Sequence, residues 1–200
     1  MAETVPELKE VVGALVFSSA RALSVREIRR CLDEVAGKDG AGGVYGKLKE
    51  SDVTAVVRDL MTDLAERKAG IGLCEVAGGF RFQSDAACGR WVRHLLEAGR
   101  PSRLSQPALE TLAIVAYRQP VTRTQIEAVR GVSVDHVIKS LMELQLVRIV
   151  GRSSLPGRPF LYGTTHAFLE HFGLRNLAQL EELNPALKQA AELAEHSEDE

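Results

Sequence analysis

LSQPALETLAIVAYRQPVTRTQIEAVRGVSVDHVIKSLMELQLVRIVGRSSLPGRPFLYGTT, running from Leu104 to Thr165, switches from helical to strand periodicity near its middle. Ser105 and Pro107 open an apolar helix over Leu109 to Tyr117, because a serine cap and a proline in the first turn both suit a helix start. Pro120-Val121-Thr122 then turns into a short second helix, and Ser133 to Leu144 carries the apolar spacing of a third. Leu146 to Gly151 and Phe160 to Gly163 alternate as strands on either side of Pro156-Gly157-Arg158-Pro159, a turn sequence. Three helices followed by such a hairpin spell a winged helix, a module that binds DNA or protein and rarely catalyses.

Reading outward, the same order recurs upstream. Leu23-Ser24-Val25-Arg26-Glu27-Ile28 aligns with Val121-Thr122-Arg123-Thr124-Gln125-Ile126, and each is a capping box. An apolar helix precedes the first box (Leu8 to Phe17, opened by Pro6), a helix over Asp52 to Arg67 follows it, and the strands Ile71 to Ala77 and Phe80 to Gln83 flank Gly78-Gly79. Between the copies, Asp85 to Gly99 reads as a helix with Trp91, Val92, Leu95 and Leu96 on one face, ending in the loop Gly99 to Arg103. After the second copy, Thr165 caps a helix from His166 to Phe172 that stops at Gly173, and Leu174 to Leu183 is a last apolar segment. The expected fold is mainly α with small β-hairpins (α+β), in two tandem winged-helix domains. They occupy residues 1–84 and 104–183, are joined by a connecting helix and linker at 85–103, and precede an acidic, flexible tail at 184–200.

The net charge of −2 hides a gradient. Residues 1–99 hold 14 Lys and Arg against 15 Asp and Glu, residues 100–165 hold 9 against 4, and residues 166–200 hold 2 against 8. The basic middle resides on Arg100, Arg103, Arg118, Arg123, Arg148, Arg152 and Arg158. The two third helices, however, carry few cations for a polyanion: Asp52, Arg58, Asp59, Asp63, Glu66 and Arg67 in one, and Asp135, His136, Lys139 and Glu143 in the other. Weak, sequence-blind DNA contact through the wing is therefore the most that is expected, with a winged-helix transcription regulator as the alternative function.

Cys31, Cys74 and Cys88 have no CxxC spacing, so neither a disulfide framework nor a zinc site is expected. The five histidines form no HExxH pair. The loop Ala36 to Lys47 places Ala41 where a phosphate-binding loop needs its first glycine and Leu48 where it needs its magnesium ligand. No catalytic residue, metal or cofactor, no small-molecule substrate and no membrane span is expected, and the cytoplasm is the expected location.

Four motifs carry a family resemblance: Glu75 to Arg81, Leu104 to Thr122, Ile126 to Val132 and Pro156 to Thr165, with Phe168 to Leu180 completing it. Over roughly residues 5–183 the chain closely resembles the segregation and condensation protein B family, accessory subunits of the bacterial SMC complex. Departures from that pattern are the loose loop Gly37 to Gly46, His136, and Ser153-Ser154 before the hairpin tip. The resemblance implies a homodimer formed through the first domain and binding to the kleisin subunit, segregation and condensation protein A, which bridges the SMC ATPase heads. On that basis Tyr117, Arg118, Arg158 and Tyr162 are the candidate kleisin contacts, since Arg and Tyr anchor interfaces well. Leu8, Val12 and Leu15 are the candidate dimer contacts; both tyrosines and all three aliphatics serve equally well as core.

Overall fold

The computed structural model describes residues 5–38, 43–96 and 104–183. The chain is a mixed α+β protein that divides into two compact units, Met1–Arg100 and Pro101–Glu200. The linker residues 97–103 and the tail 184–200 lie outside the described residues.

In the first unit, α1 (Leu8–Ser18), α2 (Val25–Lys38) and α3 (Glu50–Arg67) each bury residues four apart, the spacing that places two side chains on one helix face. Val12 and Val16, Ile28 and Leu32, and Val53 and Val57 meet in one core, closed by Leu73 and Phe80 from the hairpin of β1 (Ile71–Val76) and β2 (Gly79–Ser84). Each such aliphatic, fully buried, stabilises the fold by about 1.5–3 kcal/mol relative to exposure. Lys9 crosses from α1 to α3, donating to Asp59 at 2.6 Å and to Asp63. Those two carboxylates hold the Lys9 ammonium above the ordinary lysine value.

The hairpin turn falls one residue earlier than Gly78-Gly79. Val76 pairs with Gly79, so Ala77 and Gly78 are the turn residues, with φ of 52° and 71°. Two positive φ angles in sequence match a tight two-residue hairpin turn. Gly79 is instead needed inside the strand, where an added Cβ would lie 2.9 Å from the Leu23 carbonyl oxygen. Leu23 approaches that closely because it exchanges backbone hydrogen bonds with Phe80, at 2.9 and 2.8 Å.

The second unit repeats this plan. Helices α5 (Gln106–Arg118), α6 (Arg123–Arg130) and α7 (Asp135–Glu143) surround Leu112, Val115, Ile126, Ile138 and Leu141, and β3 (Val121–Thr122), β4 (Val147–Arg152) and β5 (Phe160–Thr164) form a sheet in the order β3-β5-β4. Val121 pairs with Tyr162 as Leu23 pairs with Phe80. Both capping boxes form. The Ser24 and Thr122 N–H groups each donate to the side chain three residues on, at 2.9 Å, and the hydroxyls accept in return at 3.3 Å. The aligned Ile28 and Ile126 are both fully buried.

Several element boundaries differ from expectation. Helix α7 begins at Asp135 rather than Ser133, because the Glu127 carboxylate from α6 accepts the Val134 N–H at 3.1 Å and starts the helix there. The connecting segment opens with a short 3-10 turn, Ala86–Cys88, before α4 (Gly89–Leu96). The Asp85 side chain caps that turn by accepting from Ala87 N–H at 2.8 Å. Pro6 precedes α1 without entering it, and its carbonyl accepts from the Tyr45 hydroxyl at 2.6 Å. Two helices end the described chain, α8 (His166–Phe172) and α9 (Ala178–Leu183).

Candidate protein-interaction surfaces

The hairpin of the second unit is built from a bulged pair. Residues Val147 to Ile149 pair with Thr164 to Tyr162, the register shifts between Ile149 and Gly151, and Arg152 pairs with Phe160. At the tip, Arg158 N–H donates to the Leu155 carbonyl at 2.9 Å, with Pro156 and Gly157 between them and Gly157 at φ 81°. Proline then glycine at these positions is the sequence of a type II turn. Arg158 itself takes a left-handed conformation, φ 45°, and its carbonyl accepts from the Arg152 guanidinium at 3.2 Å. Its side chain is exposed.

Gln119 locks the other end of this hairpin to the helices. Its Oε1 accepts from the Thr164 N–H at 2.7 Å and the Thr164 hydroxyl at 3.0 Å, while its Nε2 donates to the Ala116 carbonyl at 3.0 Å. Gly163 makes room for this, since an added Cβ would sit 2.9 Å from Val150 and 3.0 Å from Gln119 Oε1.

The four kleisin candidates differ in their surroundings. Tyr117 is half-buried at the end of α5, and its hydroxyl donates to the Leu180 carbonyl at 3.4 Å, fastening the end of the chain's described part to the core. Arg118 follows it, half-buried, in the last turn of α5. Tyr162 packs against the core and lines a shallow groove of about 420 Å³ with Asp135, Ile138, Lys139, Met142 and Glu143. Arg158 lies outside β5, in the hairpin tip four residues before Tyr162.

Of the dimer candidates, Leu8 and Leu15 are half-buried, but Val12 is 0% exposed within the first unit's own core. Its side chain supports α1 from beneath and is not available to a partner. Leu15 instead joins Val5, Val11, Cys31, Val35 and Val44 around an apolar groove of about 310 Å³ between α1 and α2. Phe17 at the end of α1 is 74% exposed and packs edge-on against Phe82, 5.9 Å between ring centres. On α4, Trp91, Leu95 and Leu96 are 65%, 77% and 60% exposed, so the apolar face read from the sequence points outward.

Electrostatics argue against a polyanion on the third helices. Asp59 and Asp63 of α3 are engaged with Lys9. Arg123 is drawn to Asp135 at the start of α7, 2.5 Å away, and Asp135 with Glu127 raises its pKa further above the usual arginine value. Arg130 is turned inward, donating to the Pro107 carbonyl at 2.8 Å and the Thr111 hydroxyl at 3.1 Å. Among the described residues no group of three or more His, Cys, Asp or Glu could hold a metal ion, and no helix is long and apolar enough to cross a membrane.

The described surfaces thus comprise a shallow groove beside Tyr162, an apolar groove between α1 and α2, and an arginine-bearing hairpin. A model of the family described as "Segregation and condensation complex subunit ScpB" matches residues 10–183. The chain is 39% identical over 192 residues to segregation and condensation protein B of Syntrophotalea carbinolica, covering 96% of this chain and 88% of that one. It is 41% identical over 173 residues to the protein of the same name from Geobacillus thermodenitrificans, covering 86% and 76%. A crystal structure of ScpB from Mycobacterium tuberculosis is 33% identical, with a TM-score of 0.36 over 84% of this chain and 96% of that one. The chain belongs to the segregation and condensation complex subunit ScpB family.

Proposed function

We propose that this chain is a non-catalytic accessory subunit of the bacterial SMC–kleisin complex. It acts as a homodimer that binds the kleisin subunit, segregation and condensation protein A, and reaches the SMC ATPase through it, serving chromosome condensation and partition in the cytoplasm at the nucleoid. The observation that carries this reading is the family match across both units, residues 10–183. In this reading the units are tandem winged-helix domains, 1–84 and 104–183, joined by 85–103 and followed by the acidic tail. Their support is the repeated plan: a capping box, a buried Ile28 or Ile126, and a strand residue before each box that pairs with the last strand.

Dimerisation belongs to the first unit, with Leu8 and Leu15 at the contact beside the α1–α2 groove. Kleisin contacts belong to the second, through Arg118, Arg158 and the exposed parts of Tyr117 and Tyr162. No cofactor, metal or small-molecule substrate is needed, and DNA contact is weak and sequence-blind. Co-purification with a kleisin fragment followed by mass measurement tests the reading. A stable complex of two copies of this chain with kleisin is the expected result, and a chain that ignores kleisin contradicts it.

A further inference from the structure

The hairpin of the second unit leaves one side of its sheet open. Among the described residues strand β4 bonds to β5 alone, and Arg148 to Arg152 are all exposed. Two hydrogen bonds fix which way its backbone points. Ser153 N–H donates across the hairpin to the Pro159 carbonyl at 2.8 Å, so Ser153 occupies a bonded position. Thr164, opposite Val147, gives its N–H to Gln119 rather than to β4, so that pair is a non-bonded one. Antiparallel alternation between these two points turns the N–H and C=O groups of Val147, Ile149 and Arg152 away from β5, with the bulge after Ile149 absorbing the odd residue; Val147 is buried, so Ile149 and Arg152 are the open positions. The Arg152 guanidinium 4.2 Å over the Phe160 ring agrees, since side chains approach closest in non-bonded pairs.

The side chains along this edge state what would fit it. Between Leu144 and Thr165 the chain has Arg148, Arg152 and Arg158 and no Asp or Glu. Interleaved with these cations are the exposed Ile149, Val150, Leu155 and Phe160. A second copy of the same edge would set arginine against arginine, which opposes pairing. A phosphate backbone would satisfy the cations but leave the aliphatic and aromatic groups uncovered.

We propose that the outer edge of β4 takes up an extended acidic segment of a partner protein as an added strand. Backbone hydrogen bonds run to Ile149 and Arg152, carboxylates of the segment face Arg148 on one side of the sheet, and its apolar side chains cover Ile149 and Phe160 on the other. The mode goes beyond the kleisin reading, because any acidic extended segment can use it, and its test contains no kleisin.

The probe is a peptide as long as β4 that alternates glutamate with valine, added to the full chain and followed by fluorescence anisotropy and residue-resolved amide exchange. The peptide binds and slows exchange of the Ile149 and Arg152 amides. N-methylation at alternate peptide residues keeps the charge and side chains but removes strand pairing, and weakens binding roughly ten-fold or more. Ile149→Pro, which deletes an outward N–H, weakens it in the same way. The methylated-peptide arm uses the unaltered chain, so it decides even if that variant does not fold. Equal binding of the methylated peptide, no peptide binding at all, or protection of these amides by duplex DNA and not by the peptide overturns the proposal.

Discussion

Gly163 and Gln119 together hold the hairpin of the second unit in register, and neither can be exchanged without consequence. Gly163→Ala pushes a methyl group to within 2.9 Å of Val150 and 3.0 Å of Gln119 Oε1. Overpacking of this kind costs about 1–3 kcal/mol. Gln119→Ala strands the Thr164 N–H, part-buried, for a similar loss of about 1–3 kcal/mol. Urea unfolding of both variants checks these figures, and an unchanged midpoint for Gly163→Ala contradicts the packing described. Glu27 supplies a pH signature. Its carboxylate accepts from Arg21, from the Ser24 N–H and from the Ser24 hydroxyl, which lowers its pKa from 4.5 to about 2. A depressed folded-state value means stability that is fully present above about 4.5 and lost as pH falls toward 2. Glu27→Gln is therefore less stable than the parent near neutral pH, and the gap closes across that acidic window. A gap that does not change with pH contradicts the assignment.

At the scale of elements, the reading of the sequence holds where a local signal decides and shifts where a distant partner does. The capping boxes at Ser24 and Thr122 involve residues three apart and form as read, as does the Gly173 helix stop with φ of 67°. The start of α7 depends on Glu127, seven residues upstream of its partner, and the turn at Ala77-Gly78 depends on Leu23. No local pattern carries either. Gln119 is the clearest miss, because its partner lies 45 residues away. Among the candidate contacts, an exposed Arg158 was legible from the proline and glycine around it. The burial of Val12 was not, since periodicity marks a helix face without saying whether its own fold or a second copy covers it. The tip yields its own test. Arg158 is exposed, and only its backbone is tied within the hairpin by the bonds described, so Arg158→Ala leaves the melting temperature and dimer mass nearly unchanged. The same substitution weakens binding of a kleisin fragment at least several-fold, as expected for an interface arginine. Calorimetric titration of the folded variant measures this, and unchanged affinity removes Arg158 from the contact.

For the whole molecule, two separate cores mean that each unit carries its own stabilising contacts. The fragment Pro6 to Arg100 is expected to dimerise and the fragment Ser102 to Glu200 to remain monomeric, as light scattering on the two pieces will show. A monomeric first fragment beside a dimeric second one inverts the proposed arrangement. The absence of a cationic third helix bears on the partner. A sequence-reading regulator binds its site typically ~10³-fold or more tightly than random duplex, with steep salt dependence. Both third helices carry few cations for that, and Arg123 is already engaged with Asp135. The most direct test is one titration of the full chain at physiological salt against a kleisin fragment and, separately, against a pool of duplexes from which any preferred sequence has been selected. The expected result is a stable kleisin complex containing two copies of this chain and only weak, sequence-blind duplex binding. A selected duplex bound at nanomolar affinity, with no kleisin complex, contradicts it.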